Sequence, residues 1–90
     1  MNTESVQCRK VAFGTGMEKP GDFCFDESRT TLYVWYPETS APDAIAISRS
    51  PSCDSRVWLW DGNEDAPSLY PSLGSWTWHG WLNAGKLTSC

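Results

Sequence analysis

The chain has 90 residues, 40% of them hydrophobic and 20% charged, with six tryptophans and a net charge of −4. That length supports one core and one domain, 1–90, with residues 1–8 expected to fray. The balance excludes a disordered tail and a membrane protein, and the acidic charge excludes general binding to duplex nucleic acid, which needs many phosphates neutralised by Lys and Arg.

A polar segment, MNTESVQCRK, leads into an expected strand at Lys10–Phe13, and Gly14-Thr15-Gly16 and Pro20-Gly21 mark turns in the next stretch. Asp22–Asp26 alternates, with Phe23 and Phe25 on one face, and Thr31–Tyr36 is β-branched and aromatic. The two segments predict a β-hairpin across the polar link Glu27–Thr30. Pro37 ends the second strand, because it has no N–H to give to a ladder. A short strand is expected at Ala44–Ser48, with Ile45 and Ile47 on one face, and a polar loop, SRSPSCDS, comes after it. Arg56–Trp60 reads as a strand that is apolar on both faces, Val57 and Leu59 against Trp58 and Trp60, with Val57 and Leu59 assigned to the core.

Asp61-Gly62-Asn63 is a turn. Pro67 and Pro71 hold Ala66 and Tyr70 extended, so PSLYPSL is expected to be a rigid, non-helical crossing segment. A strand at Ser75–Leu82, a turn at Asn83-Ala84-Gly85 and a returning strand at Lys86–Thr88 complete the chain. No stretch keeps a helical period. The expected fold is mainly β: a small antiparallel sheet, sandwich or partial barrel built from hairpins.

The order W-x-W-D-G-N, P-S-L-x-P-S-L, W-x-W-H-G-W-L-x-x-G-x-L resembles a small phage and prophage family of unknown function. That family is described as zinc-binding, and its members sometimes carry the label ammonia monooxygenase. The resemblance rests on Trp58, Trp60, Asp61, Gly62, Asn63, Pro67, Leu69, Pro71, Ser72, Leu73, Trp78, His79, Gly80 and Gly85. It covers the last 35 or so residues well and the first half weakly. Members often have a C-P-x-C knuckle upstream, where this chain has Trp35-Tyr36-Pro37-Glu38. The resemblance implies a phage setting, with the family's metal knuckle lost.

Four cysteines, Cys8, Cys24, Cys53 and Cys90, form no C-x-x-C pair. Residues 1–20 lack the apolar run of a signal peptide, so we expect a cytoplasmic protein, in an infected bacterial cell on the family reading, with reduced thiols. In an oxidising compartment three disulfide pairings would be open. A zinc site from Cys24, Cys53, His79 and Cys90 is chemically conceivable but has none of the close ligand pairs that structural zinc uses, so no cofactor is expected. Catalysis would have to rest on His79 with no identified nucleophile, so a non-enzymatic protein is expected.

There remains the placing of arginine beside indole. Arg49 and Arg56 bracket the serine-rich loop, and Arg56 leads into Trp58 and Trp60. Guanidiniums hold phosphates and indoles stack on bases. Together with Trp76, Trp78 and His79, these residues predict a site for a small anionic ligand, a cyclic nucleotide above all. The expected role is a phage counter-defence sponge for such signals. The alternatives are a module that binds a host or phage protein through a tryptophan face, a zinc protein or hydrolase, and a sugar-binding surface. A homo-oligomer is expected, because small β domains commonly bury spare strand edges by symmetric association.

Overall fold

Alternating apolar residues and short turns produce ten strands and, among the described residues, no helix. The structure is a computed structural model, and it describes residues 5–14, 16–74 and 78–89. The strands are β1 (Ser5–Gln7), β2 (Arg9–Lys10), β3 (Asp22–Phe25), β4 (Thr31–Val34), β5 (Asp43–Ser48), β6 (Val57–Trp60), β7 (Leu69–Tyr70), β8 (Leu73–Gly74), β9 (His79–Asn83) and β10 (Lys86–Ser89). They form a four-stranded sheet in the order β1-β10-β9-β8 and a six-stranded sheet in the order β2-β3-β4-β5-β6-β7. The smaller sheet is antiparallel throughout. In the larger one, β2/β3 and β5/β6 run parallel. The fold is mainly β, as expected.

The β3–β4 hairpin forms, with Phe23 opposite Val34 and Phe25 opposite Leu32. The β9–β10 hairpin closes through Ala84 and Gly85, both at positive φ (50° and 76°), the two-residue turn that matches the twist of its strands. The expected strand at Lys10–Phe13 is cut short: Lys10 pairs with Phe23, the Val11 N–H donates to the Phe23 carbonyl at 2.9 Å, and the chain then turns at Phe13 and Gly14. Ser5–Gln7, expected to fray, pairs with β10. Of the strand expected at Ser75–Leu82, β9 begins at His79, and residues 75–77 lie outside the described residues.

One core draws on both sheets. Phe23, Phe25, Leu32, Val34, Ile45, Ile47, Trp60 and Leu69 from the larger sheet join Leu73, Leu82 and Leu87 from the smaller, with Tyr36 and Trp78 beside them. Trp60 lies 4.8 Å from Phe25, ring to ring, and Trp78 stacks on Tyr36 at 5.1 Å and 17°. The facing of β6 is the reverse of the assignment of Val57 and Leu59 to the core: Trp60 is buried, while Val57 and Leu59 are half-buried. Period-two alternation fixes which residues share a face but not which face turns inward.

PSLYPSL is the crossing between the sheets. Its first triplet ends in β7, at the edge of the larger sheet, and its second leads into β8, at the edge of the smaller. The Tyr70–Pro71 peptide is cis.

Candidate active site: a serine and a histidine where the sheets meet

The two Pro-Ser-Leu triplets look equivalent in the sequence and have opposite fates. Ser68 is buried, gives its hydroxyl to Asn83 Oδ1 at 3.2 Å and accepts the Ala84 N–H at 2.7 Å, tying the crossing segment to the β9–β10 turn. Ser72 is only half-buried, in the two-residue link between β7 and β8, and its Oγ stands 3.1 Å from His79 Nε2. The other end of that link is held by the Trp58 indole, whose N–H donates to the Ser72 carbonyl at 3.1 Å.

The register of the β8–β9 hairpin creates this contact. Leu73 lies opposite Gly80 and Gly74 opposite His79. One further step of the same register sets Ser72 across from Trp81. Ser72, Gly74, His79 and Trp81 therefore share the outer face of the smaller sheet, with Leu73, Gly80 and Leu82 turned inward. His79 is exposed and leans diagonally toward Ser72. The lean needs the bare backbone at Gly74, since a Cβ there would lie 2.5 Å from His79 Cδ2. Trp81, 45% exposed, adds aromatic surface on the same face.

A hydroxyl at hydrogen-bond distance from an imidazole nitrogen is the arrangement that activates serine. With the ring proton on Nδ1, Nε2 accepts from Ser72 and takes the proton as Oγ attacks. Sequence reasoning did not pair Ser72 with His79 because S-x6-H is no signature. The register implied by the hairpin, which puts the residue two before Gly74 diagonal to His79, is the signal that could have found it.

The residues of the expected anion site are dispersed. Arg56 is forked onto Asp54 through Nε (3.1 Å) and a terminal nitrogen (3.2 Å), which holds the Asp54 carboxyl below its ordinary range. Arg49 lies against Gly62, where a Cβ would come within 2.8 Å of its Nε. Trp60 is in the core and gives its N–H to the Asn63 carbonyl at 3.0 Å, and Trp78 is in the core as well. Two stacking faces of the expected site are therefore already covered by Phe25 and Tyr36. Trp76 lies outside the described residues. Among the described residues of the set, Trp58 and His79 are brought together, each bonded to Ser72.

Three of the four residues considered for zinc are described, and they lie in different surroundings. Cys24 is buried and lines an apolar cavity of about 230 Å³ with Phe13, Met17, Tyr33 and Pro42. Cys53 is in an exposed loop, His79 serves Ser72, and Cys90 lies outside the described residues. Among the described residues no three Cys, His, Asp or Glu side chains converge, and no helix is long and apolar enough to cross a membrane.

A family model described as bacterial ubiquitination-like system serine protease (BubE) matches residues 18–90. No curated protein and no solved structure matches the chain. The family match overturns two expectations at once. The protein is not to be read as non-enzymatic, and its setting is a bacterial ubiquitination-like system rather than a phage sponge for cyclic nucleotides. Surplus indole pointed toward nucleotides only because the chain's tryptophans could not be sorted into core and surface before the fold was known. The family match covers more than three quarters of the sequence, and the chain belongs to the bacterial ubiquitination-like system serine protease (BubE) family.

Proposed function

We propose that the chain is a serine protease acting in the bacterial cytoplasm on the ubiquitin-like protein of a ubiquitination-like system, with Ser72 as nucleophile and His79 as general base. The observation that carries this reading is the 3.1 Å contact between Ser72 Oγ and His79 Nε2 on an open face, in a family described as serine proteases.

That contact sets the chemistry. Ser72 Oγ bonds to the scissile carbonyl carbon as its proton passes to His79 Nε2, giving a tetrahedral oxyanion. The C–N bond then breaks, and the leaving amine takes the proton from the imidazolium. Water attacks the acyl-serine with His79 again as base, releasing the carboxylate and restoring the hydroxyl. The Trp58 N–H on the Ser72 carbonyl and the inward anchoring of Leu73 fix the backbone on the C-terminal side of the nucleophile. A protein substrate takes the place of the small anionic ligand expected from the sequence.

The test is labelling with a small fluorophosphonate and then peptide mapping. The expected result is one phosphonyl group on Ser72, lost in Ser72→Ala and strongly slowed in His79→Ala, with both variants folded by circular dichroism. A folded protein that the reagent leaves unmodified, or modifies at another serine, rejects the assignment.

A further inference from the structure

The outer face of the larger sheet carries a protruding ring and a hollow on one uncharged surface. Alternation turns Ile45 and Ile47 of β5 into the core, so Ala44 and Ala46 point outward and are exposed. Across the ladders, Tyr33 lies opposite Ala44, Val57 opposite Ala46, and Tyr70 opposite Leu59, all on this outer side. No outward position of strands β4 to β7 carries a charge, in a chain whose net charge is −4. An apolar sheet face of this kind, bare at its central strand, marks an interaction surface.

The two ends of the face have complementary shapes. At one end Phe13, Met17 and Pro42 wall an apolar cavity of about 230 Å³, with Tyr33 and the buried Cys24 of the sheet at its base. Phe13 stands 5.6 Å from Tyr33, ring to ring, and is still 56% exposed. At the other end Tyr70 of β7 is 54% exposed. The hollow has room for one aromatic side chain, and the exposed tyrosine ring is one.

Their placement selects the partner. Tyr33 and Tyr70 are three strands apart, about 14 Å across the sheet, and four residues apart along it, about 13 Å, because Tyr33 is level with Ala44 and Tyr70 with Ser48 through Leu59. The midpoint falls at the Ala46–Val57 pair. A two-fold axis lying in the interface at that point carries each ring onto the hollow of the other copy, so both contacts form at once, with the small Ala46 side chains meeting at the centre. A foreign partner would need its own ring and its own hollow at the same separation. We infer that this face pairs with a second copy of the chain, Tyr70 of each copy seated in the apolar hollow of the other. Five strands at about 4.8 Å by six residues at about 3.3 Å give about 500 Å² per copy, or about 1,000 Å² in total, the least that a specific interface buries. A dimer of micromolar affinity follows.

Sedimentation velocity of the full chain, from about 5 to about 500 µM, tests the pairing. The expected result is a monomer–dimer equilibrium with a micromolar Kd. Tyr70→Ala removes the ring, Met17→Trp fills the hollow, and Ala46→Arg sets two charges against each other at the axis. Each should raise Kd at least tenfold, with circular dichroism unchanged. An equimolar mixture of Tyr70→Ala and Met17→Trp regains one intact ring-and-hollow contact, and should associate at least threefold more tightly than either variant alone. A chain that stays monomeric up to about 500 µM overturns the inference. So does a dimer whose Kd is indifferent to Tyr70→Ala and Ala46→Arg, or a mixture that associates no better than its components.

Discussion

The ring of His79 occupies the space that a side chain at position 74 would need: a Cβ built on Gly74 lies 2.5 Å from Cδ2 and 3.2 Å from Cγ. The two residues are cross-strand partners. An alanine at 74 must push the imidazole away from Ser72, although alanine is compatible with the backbone there. Gly74→Ala should lower kcat about 100-fold with little change in KM, the size of effect expected from misplacing a catalytic group by about 1 Å. Stability should stay within about 1 kcal/mol of the parent protein, because alanine restricts the unfolded chain. Parallel urea melts and steady-state kinetics check the pair of outcomes, and a variant with full activity shows that the ring need not lean over Gly74.

Trp58 holds the nucleophile from behind through a single N–H donated to the Ser72 carbonyl. Trp58→Phe keeps most of the half-buried ring and deletes that donor. A lost hydrogen bond of this kind costs about 1 kcal/mol. The expected phenotype is a modest drop in denaturation midpoint with a several-fold loss of fluorophosphonate labelling rate, measured on the same preparation.

Trp78 is the indole most deeply tied to the core near the site, stacked on Tyr36 and folded back over Gly80. Replacing it by leucine removes aromatic area and leaves a cavity, for an expected loss of about 2–4 kcal/mol. Chemical denaturation gives the value. Tryptophan fluorescence of the variant should lose one shielded component and keep that of Trp60.

Asp22 is a fully buried carboxylate that accepts Arg9 Nε at 2.9 Å, a terminal Arg9 nitrogen at 2.8 Å, and the Glu18 and Lys19 N–H groups at 2.8 and 3.1 Å. The Arg9 guanidinium above all, helped by these N–H donors against the cost of burial, pulls the carboxyl down to about 2 from 3.8. A depressed folded-state value means the unfolded chain binds the proton first as the pH falls. The contribution is therefore fully present above pH 4 and is lost between pH 4 and about 2. Melting temperature should fall across that window, and Asp22→Asn should be less stable at neutral pH and show a shallower acid decline.

Thiol chemistry should separate the cysteines sharply. Burial pushes the Cys8 thiol up to about 11 and raises Cys24 as well, whereas Cys53 is exposed. In a Cys90→Ser protein, a disulfide reagent at pH 8 should consume one thiol quickly and two only after guanidinium unfolds the chain. Three fast thiols would contradict the packing around Cys8 and Cys24.

Much of the sheet structure is written locally. The alternation of Phe23 and Phe25 and of Ile45 and Ile47, and the turn at Asn83-Ala84-Gly85, each predict a strand or hairpin that is present. The parallel pairings β2/β3 and β5/β6 are not legible, because crossovers join segments whose pairing no nearby turn dictates. The site was hidden for a related reason. Ser68 and Ser72 have the same immediate neighbours on both sides, and only the tertiary structure makes one a buried tie and sets the other beside His79. Tryptophans suffer the same ambiguity: Trp58 and Trp60 share a strand face, yet one ends half-buried beside Ser72 and the other against Phe25.

Ser72 belongs to the two-residue link that spans the sheets, clamped by Trp58 of one sheet and facing His79 of the other. The register of β8 on β9 sets the reacting distance, and the Trp58 clamp lets the packing of the two layers bear on it. A slight slip between the layers on warming would pull on the Ser72 backbone through that clamp while every strand still held its ladder. Heat should silence this protein several degrees before it melts, and a bound substrate that bridges the layers should close that gap.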